Sequence, residues 1–265
     1  MTENQSSHDS SLLGPLPHPD RLGGPGWLKT TGGHLTNQQR AQMFAASITT
    51  QRQLIGQRLR PRATTSLSLD DLIHMPDSQI VRDAEEAALC QSPGILAHGY
   101  RSAVFARALA LIDGVNVDHE LLVVCALLHD AGLFPSVIGE DFTLRSATLA
   151  AEVTRNAGHA AACDHVFDAV VVHTTIGVDT ERDGALGAYT QFGAMVDLAG
   201  LRERHLPYDF VNRVLHEHPR KGFASEILRG LGGEARAVPG GRFAFLRCVG
   251  FGPAVRLASL PTRRK

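Results

Sequence analysis

The chain is predicted to be all-α, and three features of its text predict it. Apolar residues recur at helical spacing over long segments, as with Leu96, Val104, Phe105, Ala108 and Leu111. The sustained apolar and polar alternation of a half-buried strand is missing, and so are internal repeats and a glycine-rich phosphate loop. The third is the stretch Val123-Val124-Cys125-Ala126-Leu127-Leu128-His129-Asp130-Ala131-Gly132, which runs uninterrupted apolar sequence into an imidazole and a carboxylate. A helix that is apolar on nearly every side belongs inside a bundle, and Gly132 is the expected stop. A helical bundle rather than a coiled coil follows.

Taken in order, residues 1–35 are rich in Ser, Gly, Pro and His, and are expected to form a disordered or loosely packed arm that holds no helix or strand. Trp27, the single tryptophan, is the candidate that pins it to the rest. The bundle is expected over 36–235. It opens with a helix over 36–59 ended by Pro61, and a connector at 67–75 follows. Pro76 and Asp77 start a helix packed through Ile80, Val81, Ala84, Ala87 and Ala88. Ser92-Pro93-Gly94 reads as a break, and the next helix, 95–112, carries His98 on its first turns. Asp118 is a plausible N-cap for the helix of the opening stretch, with Glu120 near its positive end.

Residues 143–157 read as a small-residue helix closed by Gly158. Residues 161–175 carry Val166, Val170 and His173 along one side. A polar loop at 179–184 precedes a helix ending in Gly193-Ala194-Met195-Val196-Asp197-Leu198-Ala199-Gly200, and Pro207 opens an amphipathic helix to about 218. Residues 236–265 are expected to be a tail. Within it Phe243-Ala244-Phe245-Leu246 reads as a short strand or a docked segment, and the final Thr-Arg-Arg-Lys as loose.

With 26 basic and 27 acidic residues, bulk charge draws the chain toward neither nucleic acid nor anionic membrane. The longest apolar runs fall short of the roughly 20 residues of a membrane span, and the N-terminus has no secretory pattern. The expectation is a cytoplasmic protein acting on a small molecule, with no nucleic-acid or membrane partner; a homo-oligomer is left open. Cys90, Cys125, Cys163 and Cys248 are far apart, Cys90 and Cys125 within apolar patterns, so neither disulfides nor a thiolate zinc site is expected.

The residues that carry chemistry are His98, the pair His129-Asp130, and Asp197, from three helices and each from a part expected to face inward. A buried ionised carboxylate has to be paired, hydrogen-bonded, neutralised or metal-bound. Two imidazoles and two carboxylates form a nitrogen and oxygen set suited to zinc, iron or manganese rather than calcium. The bland alternative is a His-Asp pair at a solvated helix end.

The order His, His-Asp, distant Asp resembles the HD-domain superfamily of metal-dependent enzymes. His98-Gly99-Tyr100-Arg101 looks like the family's His-x-x-Arg, and Leu127-Leu128-His129-Asp130-Ala131-Gly132-Leu133 is similar to its core motif. Three further stretches, Val172-His173-Thr174-Thr175-Ile176-Gly177, the segment 193–202, and His218-Pro219-Arg220-Lys221-Gly222-Phe223, are similar to the cyanamide hydratase-like branch, over about residues 75–230.

The resemblance implies an HD-domain bundle with His98, His129, Asp130 and Asp197 as metal ligands. It further implies catalytic roles for Asp130, His173 and Arg101, and a hydratase or hydrolase, in enzyme-class terms a lyase or hydrolase, that adds metal-activated water to cyanamide or a nitrile-like substrate. Zinc is the expected ion, with iron or manganese open. HD proteins with two irons use further histidines, and only His159 and His173 are at hand here, so a dinuclear oxygenase is not expected.

His173 has an ordinary reading as a hydrogen-bonded core histidine, Arg101 as a solvated arginine, and Thr174 and Thr175 as helix-end residues. Tyr100 packs or lines an entrance. The competing function is an HD-type phosphohydrolase on a nucleotide or other phosphate ester, which requires at least two of Arg101, Arg145, Arg202 and Lys221 to point at the metal. A ligand-binding sensor without catalysis is the third reading.

Overall fold

The computed structural model describes residues 13, 14, 16, 18–59, 61, 62, 68–256 and 260, and among these it has helices and two isolated bridges but no strand. The all-α class is therefore what the structure shows. In chain order the helices are α1 (Pro25–Thr31), α2 (Asn37–Leu59), α3 (Gln79–Ala88), α4 (Pro93–Asp113), α5 (His119–Leu128) and α6 (Phe142–Asn156). There follow α7 (Cys163–Val172), α8 (Thr180–Ala199), α9 (Tyr208–Glu217), α10 (Phe223–Ala237), α11 (Arg242–Cys248) and α12 (Phe251–Arg256).

The opening stretch of the sequence becomes α5, and every residue from Leu121 to Leu128 is fully buried. Asp118 caps it, its carboxylate accepting from the Glu120 and Leu121 amides at 3.0 Å each. Around α5 stand α3, α4, α6, α7 and α8, with α10 laid against α4 and α11 against α10. A second apolar cluster joins the outer side of α4 to α9 through Phe105, Leu109, Phe210 and Val214.

Two glycines decide how near the central helices come. A Cβ on Gly99 would lie 3.2 Å from the Leu127 backbone, and one on Gly193 only 2.2 Å from the Ser102 carbonyl oxygen. Their bare backbones let α4 close on α5 and on α8, which brings His98 toward both His129 and Asp197. α4 is also the one described helix long and apolar enough to cross a membrane, and 72 % of that window is buried inside the protein.

Several expectations need correction. The arm does hold a helix: Pro25 sits at the start of α1, Gly32 closes it at φ 60°, and Trp27 and Leu28 are buried. Residues read as breakers act there as caps. Residues 1–12 lie outside the described set. At Ser92-Pro93-Gly94 the expected break is likewise a helix start, with Pro93 the first residue of α4. α2 begins at a reciprocal pair, the Gln39 amide donating to Thr36 Oγ1 at 3.2 Å and the Thr36 amide to Gln39 Oε1 at 2.9 Å.

Gly132 is not a left-handed stop. It lies in a short 3-10 turn, where a Cβ would meet the Phe142 carbonyl at 2.5 Å. α7 ends at Val172, earlier than expected, and the polar loop at 179–184 is largely the first turn of α8, which kinks at Gly184. Of the two readings of Phe243-Ala244-Phe245-Leu246 the strand fails and the docked segment stands: α11 and α12 are helical, and Phe243 and Leu246 are buried. The final four residues lie outside the described set. Cys90 is exposed, just past the end of α3, instead of packed.

Candidate metal centre

Two histidines reach the site by one device. α5 ends at Leu128, and His129, at its C-terminal cap, donates from Nδ1 to the Ala126 carbonyl at 2.7 Å. α7 ends at Val172, and His173, in the equivalent place, donates from Nδ1 to the Val170 carbonyl at 2.5 Å. A carbonyl only accepts, so the proton is on Nδ1 in both rings and each Nε2 presents a lone pair. His98, in the second turn of α4, turns its Nδ1 to Asp197 Oδ2 at 2.7 Å, and its Nε2 also faces inward. Its ring is stacked on Phe223, with centroids 4.5 Å apart.

The inward atoms are close together. His98 Nε2 is 3.2 Å from His129 Nε2, His129 Nε2 is 3.3 Å from Asp130 Oδ2, and His98 Nε2 is 3.8 Å from the same oxygen. A divalent ion bonded tetrahedrally to nitrogen and carboxylate oxygen holds its donors about 3.3–3.6 Å apart. The triangle therefore has the dimensions of a ligand set, and a buried His98, His129 and Asp130 group of this kind is compatible with a divalent metal. With both Nδ1 atoms protonated, two lone pairs face each other at 3.2 Å. A cation between the rings, or a proton on one of them, is what removes that repulsion.

Electrostatics points the same way. Burial lowers the His98 and His173 pKa values, with Asp197 and Asp130 offsetting only part of the effect, which favours the neutral ligand form. At His129 burial acts downward too, but the adjacent Asp130 carboxylate outweighs it and the pKa rises. Burial acts to raise Asp130, yet the surrounding imidazoles hold it well below the usual carboxylate range. The site favours positive charge near Asp130 and keeps that carboxylate ionised.

Asp197 stands elsewhere than expected. It lies behind His98, on the far side of the ring from Nε2, and it is not in the His98, His129 and Asp130 group. Arg101 donates to the same Oδ2 at 2.7 Å, and Arg220 Nε lies 3.1 Å from Oδ1. Burial would raise this carboxyl, but Arg101 and the His98 hydrogen bond hold it below the carboxylate range. The candidate ligand group in this geometry is therefore three residues rather than the expected four, and Asp197 is placed as a carboxylate is behind a metal-bound imidazole.

Arg101, expected among the catalytic residues, is fully buried and its Nη1 donates to the His218 and Pro219 carbonyls at 3.0 and 3.1 Å. It contacts Asp197 and does not line the cavity. His173 does face the site, with Nε2 3.8 Å from Asp130 Oδ1. Tyr100 packs, its ring stacked on His218 at 4.8 Å.

Two contributors were not read from the sequence. Arg220 falls within the stretch 218–223, where the sequence alone assigns it no role. Gln191 donates to the His173 and Thr175 carbonyls at 2.7 and 2.5 Å and so fixes the His173 turn. An amide buried among Ala, Gly and Phe two turns before Asp197 was the available signal.

The triad and His173 form the floor of a cavity of about 210 Å³. Its walls include Phe142, Met195, Leu198, Ile227, Leu231 and Phe243, and α2 supplies Thr50, Gln51 and Gln53. No lysine or arginine lines it among the described residues, and Asp130 is its one acidic residue. His159 is not part of it. No protein-family model matches the chain, and no curated protein matches it.

Proposed function

We propose that the chain is a divalent-metal-dependent hydratase or hydrolase of the HD-domain kind, in the cyanamide hydratase-like branch, acting on a small nitrogenous substrate such as cyanamide or a nitrile. The observation that carries this reading is the triangle of His98 Nε2, His129 Nε2 and Asp130 Oδ2, with edges of 3.2, 3.3 and 3.8 Å, opening on a cavity that no lysine or arginine lines among the described residues. These three side chains would hold the ion, zinc being the first choice. When bound, it supplies Lewis acidity, lowering the pKa of water and polarising the substrate nitrogen.

The chain's own residues supply orientation and proton handling. Arg101 and Arg220 fix Asp197, which fixes the His98 ring through Nδ1. His173, with Nδ1 committed to Val170, has the lone pair of Nε2 on the cavity lining and is placed to accept the proton that water gives up. Hydration of a carbon–nitrogen triple bond puts the oxygen on carbon and returns that proton to nitrogen; cyanamide gives urea. The apolar walls exclude bulk water around the reacting group.

The phosphohydrolase reading finds little support. Arg101 is bound to Asp197, Arg145 to Glu234 and the Gly132 carbonyl, and Arg202 to Asp113. None of them, nor Lys221, lines the cavity. The test is urea release from cyanamide against phosphate release from a nucleotide panel, using metal-loaded protein. Urea release is expected, and phosphate release alone would overturn the reading.

A further inference from the structure

The cavity over the triad is larger and greasier than its floor requires. Cyanamide has three non-hydrogen atoms, whereas one buried water needs about 10–15 Å³ of such space, and the cavity offers about 210 Å³. The room is for on the order of ten non-hydrogen atoms. The polar lining is the smaller part: His98, His129, Asp130 and His173, the α2 residues Ser47, Thr50, Gln51 and Gln53, and Thr174, Thr175 and Gln191. The apolar lining includes Met195 and Leu198 of α8, Ile227 and Leu231 of α10, and Phe142 and Phe243. Gln191, the amide in that wall, has its NH₂ committed to the His173 and Thr175 carbonyls.

We infer that the substrate is an uncharged molecule whose reacting group carries a hydrocarbon substituent of several carbons, seated between α8 and α10. This inference rests on the metal reading above and narrows its substrate class. A pocket with apolar walls and few polar groups takes orientation from the latter and affinity from the former. A distal carboxylate or phosphate on the substrate would be stripped of water with no basic side chain of the described lining to meet it. The Lewis-acidic floor tolerates negative character on the reacting group alone, so charge is excluded specifically at the far end.

The experiment holds a metal-binding head constant and varies the tail. Zinc-loaded full-length protein is titrated calorimetrically with acetohydroxamate, hexanohydroxamate, octanohydroxamate and the eight-carbon hydroxamate that ends in a carboxylate. Affinity is expected to rise about fourfold per methylene, on the order of a few hundredfold from the two-carbon to the six-carbon member, and the terminal carboxylate should cancel the gain. The Ile176→Lys variant, altered in a half-buried turn residue of the cavity, should bind the carboxylate-ended chain more tightly than octanohydroxamate.

Equal affinity along the wild-type series, or wild-type preference for the carboxylate-ended chain, overturns the inference while leaving the metal reading intact. Failure of acetohydroxamate itself to bind protein shown to contain zinc means that the ion offers the cavity no open position, which removes the proposed function and the inference with it.

Discussion

Replacing Asp197 by Asn separates a ligand from a residue that holds a ligand. Asp197 is fully buried, with His98 Nδ1 and Arg101 Nη2 both at 2.7 Å from Oδ2 and Arg220 Nε at 3.1 Å from Oδ1. Asn keeps the shape but removes the charge, and its NH₂ cannot accept from an arginine. Removing one partner of a buried ion pair costs about 3–5 kcal/mol, and the surviving amide hydrogen bond should hold the Asn variant to the lower end. At about 2–4 °C per kcal/mol for a domain of this size, the melting temperature should fall roughly 6–12 °C. Loss of a partner behind a metal-bound imidazole costs about 10–100-fold in metal affinity. Zinc titration against a competing chelator, on protein confirmed folded by circular dichroism, should therefore find one ion still bound, 10–100-fold more weakly. If Asp197→Asn binds no zinc at all, as Asp130→Ala is expected to, then Asp197 is itself a ligand and the three-residue account fails.

Further outcomes can be checked independently. Asp130→Ala should lose both metal and activity, read by metal analysis and urea release; full metal content in that variant would contradict its assignment. Gly193→Ala places a Cβ 2.2 Å from the Ser102 carbonyl oxygen, so α4 and α8 must part, costing about 1–3 kcal/mol; an unchanged denaturation midpoint would show that the close approach is not required. Asp168, 9 % exposed, has its pKa pushed from 3.8 up to about 6, first by burial and then by Asp164. Between those values the unfolded chain has released this proton and the folded one has not, so stability falls as pH rises through the window, by up to about 3 kcal/mol. Asp168→Asn should melt higher than wild type above pH 6 and converge with it below pH 4; a gap independent of pH would be contrary.

The central helix and its ending were legible because burial on every side leaves an unmistakable apolar run, and a carboxylate following it has few physical fates. Cap residues were less so. Pro25, Gly32 and Pro93 are ambiguous in sequence, since the features that break a helix interior also bound a helix, and only the packing of Trp27 and Leu28 decides for α1. The triad could be found from His98 and the His129-Asp130 pair, whereas the part Asp197 plays could not. It depends on which ring nitrogen it meets and on two guanidiniums, Arg101 and Arg220, more than a hundred residues apart in sequence. Gly132 shows the same limit, its need set by the approach of α6 rather than by its own dihedral angles.

The most direct test is zinc content per chain after dialysis against limiting metal, measured side by side for wild type and His129→Ala. The account predicts one ion in the wild type and none in the variant. Equal zinc in both, or none in the wild type, would contradict it.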